Sequence, residues 1–176
     1  LPAQERVHFK ARVRMRREAP GKPKVAFKKP AAKALGIGRD PIYAVYFHGP
    51  AYQVIERAAV EGDGVVALMA AGLPPNARPA EAEALVAPRL LELCFQAAGL
   101  WLLAKKQTMG LPTALERATV YRPEDAAGEK RLYVTVEARG EGEAFDARVV
   151  DEKGLVHAEV TGYRTVALPG QRTLDR

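Results

Sequence analysis

The chain has 176 residues, of which 48% are hydrophobic and 27% charged, and it carries one cysteine. This composition excludes a wholly disordered chain and a disulfide scaffold, and no apolar run of about 18 residues is present to span a membrane as a helix. The first residues are charged where a secretory signal would be apolar. We therefore expect a cytoplasmic protein with a reduced cysteine.

The charge is unevenly distributed along the sequence. The formal net charge is +6, but residues 1–33 hold 11 Lys and Arg against two Glu, and the rest of the chain is net acidic. A basic arm can bind nucleic acid through phosphate contacts. This arm has only two aromatic residues, Phe9 and Phe27, which are too few for a platform on which bases stack. We therefore expect a solvated connector that does not bind nucleic acid.

Within the arm, residues 7–16 alternate apolar and polar side chains, which is typical of a strand with one buried face. The following segment is rich in proline, glycine and lysine, which predicts a linker. The predicted organisation is a trailing strand of a preceding domain in residues 1–17, a basic linker in residues 18–39, a folded domain in residues 40–170 and a tail in residues 171–176.

The folded domain is predicted to alternate β-prone segments with one long helix. The helix is expected over residues 88–106, and its centre is apolar on nearly every side, as in a helix enclosed by other elements. A curved antiparallel sheet wrapped round this helix would bury it, so we predict an α+β hotdog fold. Residues 80–87 are weakly helical, and the β-prone segments are residues 42–47, 52–60, 65–70, 117–122, 131–138, 144–150 and 155–168.

Glu92 and Gln96 lie four residues apart on the long helix and therefore share one face. A carboxyl group among the neighbouring leucines would be desolvated and would hold its proton, as a general acid must. The alternative is structural, with Glu92 paired to Arg89 and Gln96 bonded to a free carbonyl, and the residues alone leave both open. Cys94 has no His or Lys one helical turn away, so we do not expect a nucleophile there.

Several motifs resemble those of hotdog dehydratases. Glu-x-x-x-Gln-Ala-Ala-Gly over residues 92–99 resembles the central helix of the 3-hydroxyacyl dehydratases of bacterial fatty acid synthesis. Phe-His-Gly-Pro-Ala-Tyr-Gln over residues 47–53 is similar to the Tyr-Gly-Pro-Ala-Phe-Gln signature that opens the second hotdog of polyketide synthase dehydratase domains. Residues 88–92 resemble that family's His-Pro-Ala-Leu-Leu-Asp, and residues 151–156 resemble its last hairpin.

The resemblance implies the second half of a double hotdog from a polyketide or polyunsaturated fatty acid synthase. The implied reaction removes water from a 3-hydroxyacyl thioester, carried on the phosphopantetheine of acyl carrier protein, to give a 2-enoyl thioester without a further cofactor or a metal. By the same resemblance, Glu92 protonates the departing hydroxyl, and Gln96 orients Glu92 or the water. The implied partners are the carrier protein, a preceding hotdog and a homodimer of the parent synthase, with no membrane.

The sequence departs from the family at the predicted site. Glu92 stands where the polyketide enzymes usually have Asp, Ala87 replaces a His, and His48 replaces a Tyr of the signature. For His48, contact with substrate and a structural bond to a backbone carbonyl are both compatible with the sequence. The residues expected to contact substrate are His48, Gly49, Pro50 and Tyr52.

The family's catalytic base is a His in a His-x-x-x-Gly-x-x-x-x-Pro motif, which none of the three histidines of this chain has. His8 and His157 fall on polar faces of predicted strands and are expected to be solvated. We therefore expect the base to come from a preceding hotdog, so that the isolated chain is inactive. Two alternatives stay open: a non-catalytic scaffold or acyl-binding hotdog of a megasynthase, and an enoyl isomerase that uses the same acid.

Overall fold

The computed structural model describes residues 7–15, 17–18, 20–79, 86–123, 128 and 130–168. These residues form two α-helices and one antiparallel sheet of eight strands. The helices are α1 (Arg39–Val45) and α2 (Pro88–Lys106). The strands are β1 (Ile37–Gly38), β2 (Ile55–Glu61), β3 (Gly64–Met69), β4 (Gly110–Ala114), β5 (Arg117–Val120), β6 (Leu132–Arg139), β7 (Ala144–Asp151) and β8 (Val156–Ala167).

The sheet wraps round α2. Its strands are ordered β1-β2-β3-β6-β7-β8-β4, and β5 pairs with the part of β8 that β4 leaves free. Helix α2 contacts β2, β3, β6, β7 and β8, and the apolar side chains between the helix and the sheet form the main core. This architecture confirms the predicted hotdog fold.

Helix α2 is enclosed because its central turns are apolar on nearly every side, with Gln96 as the buried polar exception. Leu90, Leu93 and Leu100 have no solvent exposure. Pro88 occupies the first turn, where its missing N–H leaves no hydrogen bond unmade. The helix stops at Gln107, which has the left-handed φ of 52° common at helix ends. Neither helix among the described residues combines the length and the apolarity needed to cross a membrane.

The predicted linker packs against the outside of the sheet. Val25 and Phe27 contact a second apolar cluster that includes Leu35 and Tyr133, and the rings of Phe27 and Tyr133 lie 5.4 Å apart. The Val25 N–H donates to the carbonyl of Gly154, in the turn between β7 and β8, at 2.9 Å. Gly154 has a φ of 78°, and a Cβ there would lie 2.2 Å from the Val25 carbonyl oxygen. Glycine is therefore required both for the turn and for the approach of the linker.

The sequence predicts a strand over residues 7–16, but residues 7–15 form no strand and pair with no other segment among the described residues. The apolar side chains of this segment are exposed to solvent, with Phe9 86% and Met15 84% exposed. An isolated strand without a neighbour has no partners for its N–H and C=O groups and is not stable alone. The expectation that this segment completes the sheet of another domain stays a prediction.

The prediction of a β-prone segment over residues 42–47 is wrong, because residues 42–45 belong to helix α1. Ile42 and Val45, three residues apart, are the buried side chains of this helix. Asp40 and Pro41 lie in its first turn, where an acidic side chain and a proline favour a helix.

Strand β4 has no counterpart among the β-prone segments predicted from the sequence. It forms an edge of the sheet, where Pro112 is tolerated because no second neighbour requires its N–H. The helical segment predicted over residues 80–87 lies outside the described residues apart from residues 86 and 87, and the tail of residues 171–176 lies wholly outside them.

Candidate functional site

Glu92 lies in the second turn of α2 with two polar partners on one oxygen. Its Oε1 is 2.9 Å from Nε2 of His48 and 3.1 Å from Nε2 of Gln96. The contact with Gln96 follows from their spacing on the helix, whereas His48 arrives from the loop after α1. The described partners of Glu92 thus do not include Arg89, whose Nε donates to the carbonyl of Ala51 at 3.0 Å. The side chains of Glu92 and His48 are 24% and 22% exposed, so both are accessible in part.

Gln96 is a buried amide held at both ends. Its Nε2 also donates to the carbonyl of Tyr52 at 2.8 Å, and its Oε1 accepts a hydrogen bond from the Tyr43 hydroxyl at 2.8 Å. The Tyr43 hydroxyl in turn accepts the N–H of Ile55, again at 2.8 Å. Gln96 therefore links α2 to α1 and to the loop before β2. The role of Gln96 in orienting Glu92 stays a prediction.

Helix α1 and the residues after it position His48. The buried Tyr46 donates its hydroxyl to the carbonyl of Gln96 at 2.7 Å, which fixes the end of α1 against α2. The Phe47 ring stacks on the His48 ring with centroids 5.3 Å apart. The Nδ1 atom of His48 is buried and has no hydrogen-bond partner among the described residues. The imidazole thus faces Glu92, and the alternative in which it bonds a backbone carbonyl is wrong.

The Gly-Pro-Ala-Tyr segment forms a short 3₁₀ turn, Pro50–Tyr52, at the rim of the site. Gln53 holds this turn by donating its Nε2 to the carbonyl of His48 at 3.1 Å. An open cleft of about 480 Å³ lies beside the turn. The cleft is lined by Ala51, Tyr52, Pro75, Asn76, Ala77 and Arg78.

The expectation that His48, Gly49, Pro50 and Tyr52 contact substrate stays a prediction.

The surroundings of Glu92 are more polar than its leucine-rich sequence neighbours predict. The fully buried Leu90 and Leu93 lie in the core, while the carboxyl group of Glu92 meets an imidazole, an amide and solvent. The expected desolvation among leucines is therefore only partial.

Three tyrosines near Glu92 stay neutral at ordinary pH. Burial raises the pKa of Tyr43, Tyr46 and Tyr163, and the charge of Glu92 raises each of them further. Burial also raises the pKa of Cys94, which is enclosed in the core. A protonated thiol without access to solvent is a poor nucleophile, in agreement with the sequence-based expectation.

The expectation of a solvated His157 is wrong. Its side chain is 1% exposed because the segment after β5 covers it, with the N–H groups of Tyr121 and Arg122 donating to its carbonyl. Burial lowers the pKa of His157. Neither of its ring nitrogens has a hydrogen-bond partner among the described residues. His8 is exposed, as expected.

Sequence reasoning missed Tyr43 and Tyr46 as parts of the site. Their spacing of three residues puts them on one face of a helix, whereas a strand would put them on opposite faces. Treating residues 42–47 as β-prone therefore separated the two hydroxyls that hold Gln96. The contact between His48 and Glu92 joins residues 44 positions apart and has no local signal in the sequence.

A family model described as polyketide synthase dehydratase N-terminal domain matches residues 43–175. The chain therefore belongs to the polyketide synthase dehydratase family, as its motifs predict. A comparison with curated proteins found no match.

Solved dehydratase domains share the fold. The chain is similar to the dehydratase domain from the CurF module of curacin polyketide synthase, with 20% identity over 84% of this chain and 54% of that one, and a TM-score of 0.66. A trans-AT polyketide synthase dehydratase domain from Brevibacillus brevis has 23% identity over 86% and 56%, with a TM-score of 0.64. An inactive aspartate-to-asparagine mutant of the CurK dehydratase has 18% identity over 78% and 51%, with a TM-score of 0.60.

The chain spans just over half the length of these solved domains. The description of the family model names the N-terminal domain, whereas the order of the motifs predicts the second hotdog. The position of this chain within a double hotdog therefore stays a prediction, and so does its division at residues 17, 39 and 170.

Proposed function

We propose that this chain is the acid-bearing hotdog of a polyketide or polyunsaturated fatty acid synthase dehydratase. The reaction removes water from a 3-hydroxyacyl thioester on acyl carrier protein and gives a 2-enoyl thioester. The observation that carries the proposal is the placement of Glu92, a partly exposed carboxyl group on the otherwise enclosed helix α2, held by His48 and Gln96 through one oxygen.

In the proposed mechanism, a base removes the proton from the α-carbon as the bond between the β-carbon and its hydroxyl oxygen breaks. Glu92 gives its proton to that oxygen, which leaves as water, and an α,β double bond remains. General acid catalysis of this kind contributes about 10²–10⁴-fold to the rate. The reaction needs an acid and a base and no change in oxidation state, so the proposal includes no resident cofactor.

The base is proposed to come from a preceding hotdog. Nε2 of His48 is occupied by Glu92, and Nδ1 of His48 is buried, so this histidine has no free nitrogen for the α-proton. His157 is enclosed at 1% exposure, and His8 lies in the open segment of residues 7–15. An inactive mutant of the CurK dehydratase lacks an aspartate side chain, which supports a carboxyl group as one half of the machinery.

The further partners are also part of the proposal. Residues 7–15 would pair as a strand with the sheet of the preceding hotdog. Their exposed apolar side chains would then be buried against that domain. The basic residues of the arm would favour the approach of an acidic carrier protein, whose phosphopantetheine presents the substrate. The parent synthase would be a cytoplasmic homodimer.

Dehydration assays on two proteins test this function: the isolated chain and the chain extended upstream by one domain of about 150 residues. A 3-hydroxyacyl thioester should be dehydrated by the extended protein and not by the isolated chain, because one carboxyl group cannot supply both acid and base. Dehydration by the isolated chain would contradict the division of the machinery. An extended protein that only binds the thioester, or only moves its double bond, would establish the scaffold or the isomerase instead.

A further inference from the structure

The orientation of the Gln96 side-chain amide follows from its neighbours, because each of them can only donate or only accept a hydrogen bond at this place. The N–H of Ile55 donates to the Tyr43 hydroxyl, so this hydroxyl gives its own proton to Oε1 of Gln96. The carbonyl of Tyr52 can only accept, so the atom of Gln96 facing it is the NH₂ group. The second N–H of that NH₂ group is therefore the one directed at Glu92.

This orientation determines which oxygen of Glu92 holds the acid proton. Oε1 accepts from Gln96, and the same Oε1 faces Nε2 of His48 at 2.9 Å. An oxygen approached by two nitrogens is the unprotonated oxygen of a carboxyl group, because a carboxyl OH is a poor acceptor. Oε2 has no hydrogen-bond partner among the described residues, and it is the oxygen free to carry and release the proton.

His48 must then donate its Nε2–H. Nδ1 of His48 is buried without a partner among the described residues, so a proton there would be an N–H group with no acceptor. The proton is instead required on Nε2, because this nitrogen faces Oε1 of Glu92, which is unprotonated and can only accept. A ring with a proton on Nε2 therefore fits the contact with Oε1.

We propose that His48 and Gln96 form a two-donor clamp on Oε1 of Glu92, which directs the acid proton to Oε2 and stabilises the carboxylate left after proton transfer. This inference rests on the proposed function, in which Glu92 is the acid. Hydrogen bonds to the carboxylate strengthen as its charge develops, and donors already in place need no reorganisation. His48 is thus a positioning residue that acts through Glu92. The tyrosine of the family signature would offer an O–H at the same place.

Among the described residues, the titratable groups that pack close to the clamp keep their charge state in the neutral range. Burial raises the pKa of Tyr43 and Tyr46 from the α1 side, of Cys94 on α2 and of Tyr163 on β8, so all four stay neutral. Arg39 bonds Gln53 and lies over Tyr43 as a permanent positive charge. A change in the pH profile on altering His48 therefore reports on Glu92 and the base.

The kinetic test compares His48→Phe with His48→Tyr in the extended protein, with Glu137→Gln, on an exposed position of β6, as the control. Loss of one hydrogen bond to a charged group should lower kcat by about tenfold or more in His48→Phe. It should also move the alkaline limb of the pH profile upward, because an acid that loses a donor to its charged form keeps its proton to higher pH. His48→Tyr should recover most of the lost rate and return the limb toward its original pH. Equal losses in both variants, with an unmoved limb, would overturn the clamp.

A second measurement needs no dehydratase activity and uses the isolated chain. The ¹⁵N shifts of its histidine rings at pH 7, with the His48 signals assigned by their loss in His48→Tyr, show which nitrogen carries the proton. A neutral ring protonated on Nε2 supports the clamp, and a ring protonated on Nδ1 overturns it. If the extended protein dehydrates nothing while the ring is protonated on Nε2, the proposed function fails and the hydrogen-bond assignment stands.

Discussion

Gly99 sets how closely the two helices of the site approach each other. A Cβ at this position would lie 2.4 Å from the hydroxyl oxygen of Tyr46, the group that donates to the carbonyl of Gln96. Only a residue without a side chain leaves room for that bond. Gly99 belongs to the motif that resembles the dehydratases, and the contact gives a physical reason for a glycine there.

Gly99→Ala should therefore destabilise the chain although alanine favours helices. Overpacking costs about 1–3 kcal/mol, and the gain in helix propensity is about 1 kcal/mol, so the free energy of unfolding should fall by about 1 kcal/mol. Urea unfolding measures this change. Gly36→Ala is the control, because a Cβ at Gly36 meets nothing within 4 Å. Adding Tyr46→Phe to Gly99→Ala should recover part of the loss, and a Gly99→Ala variant as stable as the parent chain would disprove the contact.

At the scale of elements, the predicted linker behaves as part of the domain. Phe27 covers Tyr133 on the outer face of the sheet, next to the fully or nearly buried Leu35, Val150 and Val156. Without this segment, the outer face would expose an apolar patch. The segment therefore contributes stability as well as connection.

Phe27→Ala should lower the free energy of unfolding by about 1–2 kcal/mol, which is below the value for a fully buried aromatic ring since Phe27 is half-buried. The matched control is Phe9→Ala, because Phe9 is 86% exposed and should change stability by less than about 0.5 kcal/mol. Both variants are compared by urea unfolding of the isolated chain. Equal stability of the two would show that the linker does not stabilise the sheet.

The sequence predicted the elements whose signals are local. Helix α2 was predictable because its apolar centre suits only an enclosed helix, and Pro88 marks its start. The hairpin of β7 and β8 was predictable from alternation and from Gly154 in its turn. Helix α1 was not, since its aromatic and branched residues favour strands by composition, and the helix-favouring Asp40 and Pro41 in its first turn were not weighed against them.

The site itself was predictable only in part. The pair of Glu92 and Gln96 follows from helical spacing, so its geometry was available from the sequence. The partnership with His48 depends on a tertiary contact between α2 and a loop that no periodicity encodes. The burial of His157 likewise depends on a covering segment from another part of the chain.

At the scale of the molecule, the described residues hold the proposed acid, Glu92, and no histidine that is free to act as the base. Glu92 is partly exposed, and one of its oxygens is held by His48 and Gln96. Of the other two histidines, His157 is buried and His8 lies in the exposed segment of residues 7–15. The solved relatives are nearly twice as long as the part this chain matches. The proposed second hotdog would account for both facts.

Glu92→Gln in the extended protein is the most direct measurement of the proposed acid. The amide retains an oxygen for the bonds to His48 and Gln96 but has no proton of suitable acidity to give, so the fold should persist while dehydration is lost. Thermal unfolding of the variant checks the fold, and Glu137→Gln, on an exposed position of β6, is the matched control. We expect the rate of 3-hydroxyacyl thioester dehydration to fall by about 10²–10⁴-fold in Glu92→Gln and to be unchanged in Glu137→Gln. A Glu92→Gln enzyme that keeps its rate within about tenfold of the parent, below the range of general acid catalysis, would contradict the assignment of Glu92 as the acid.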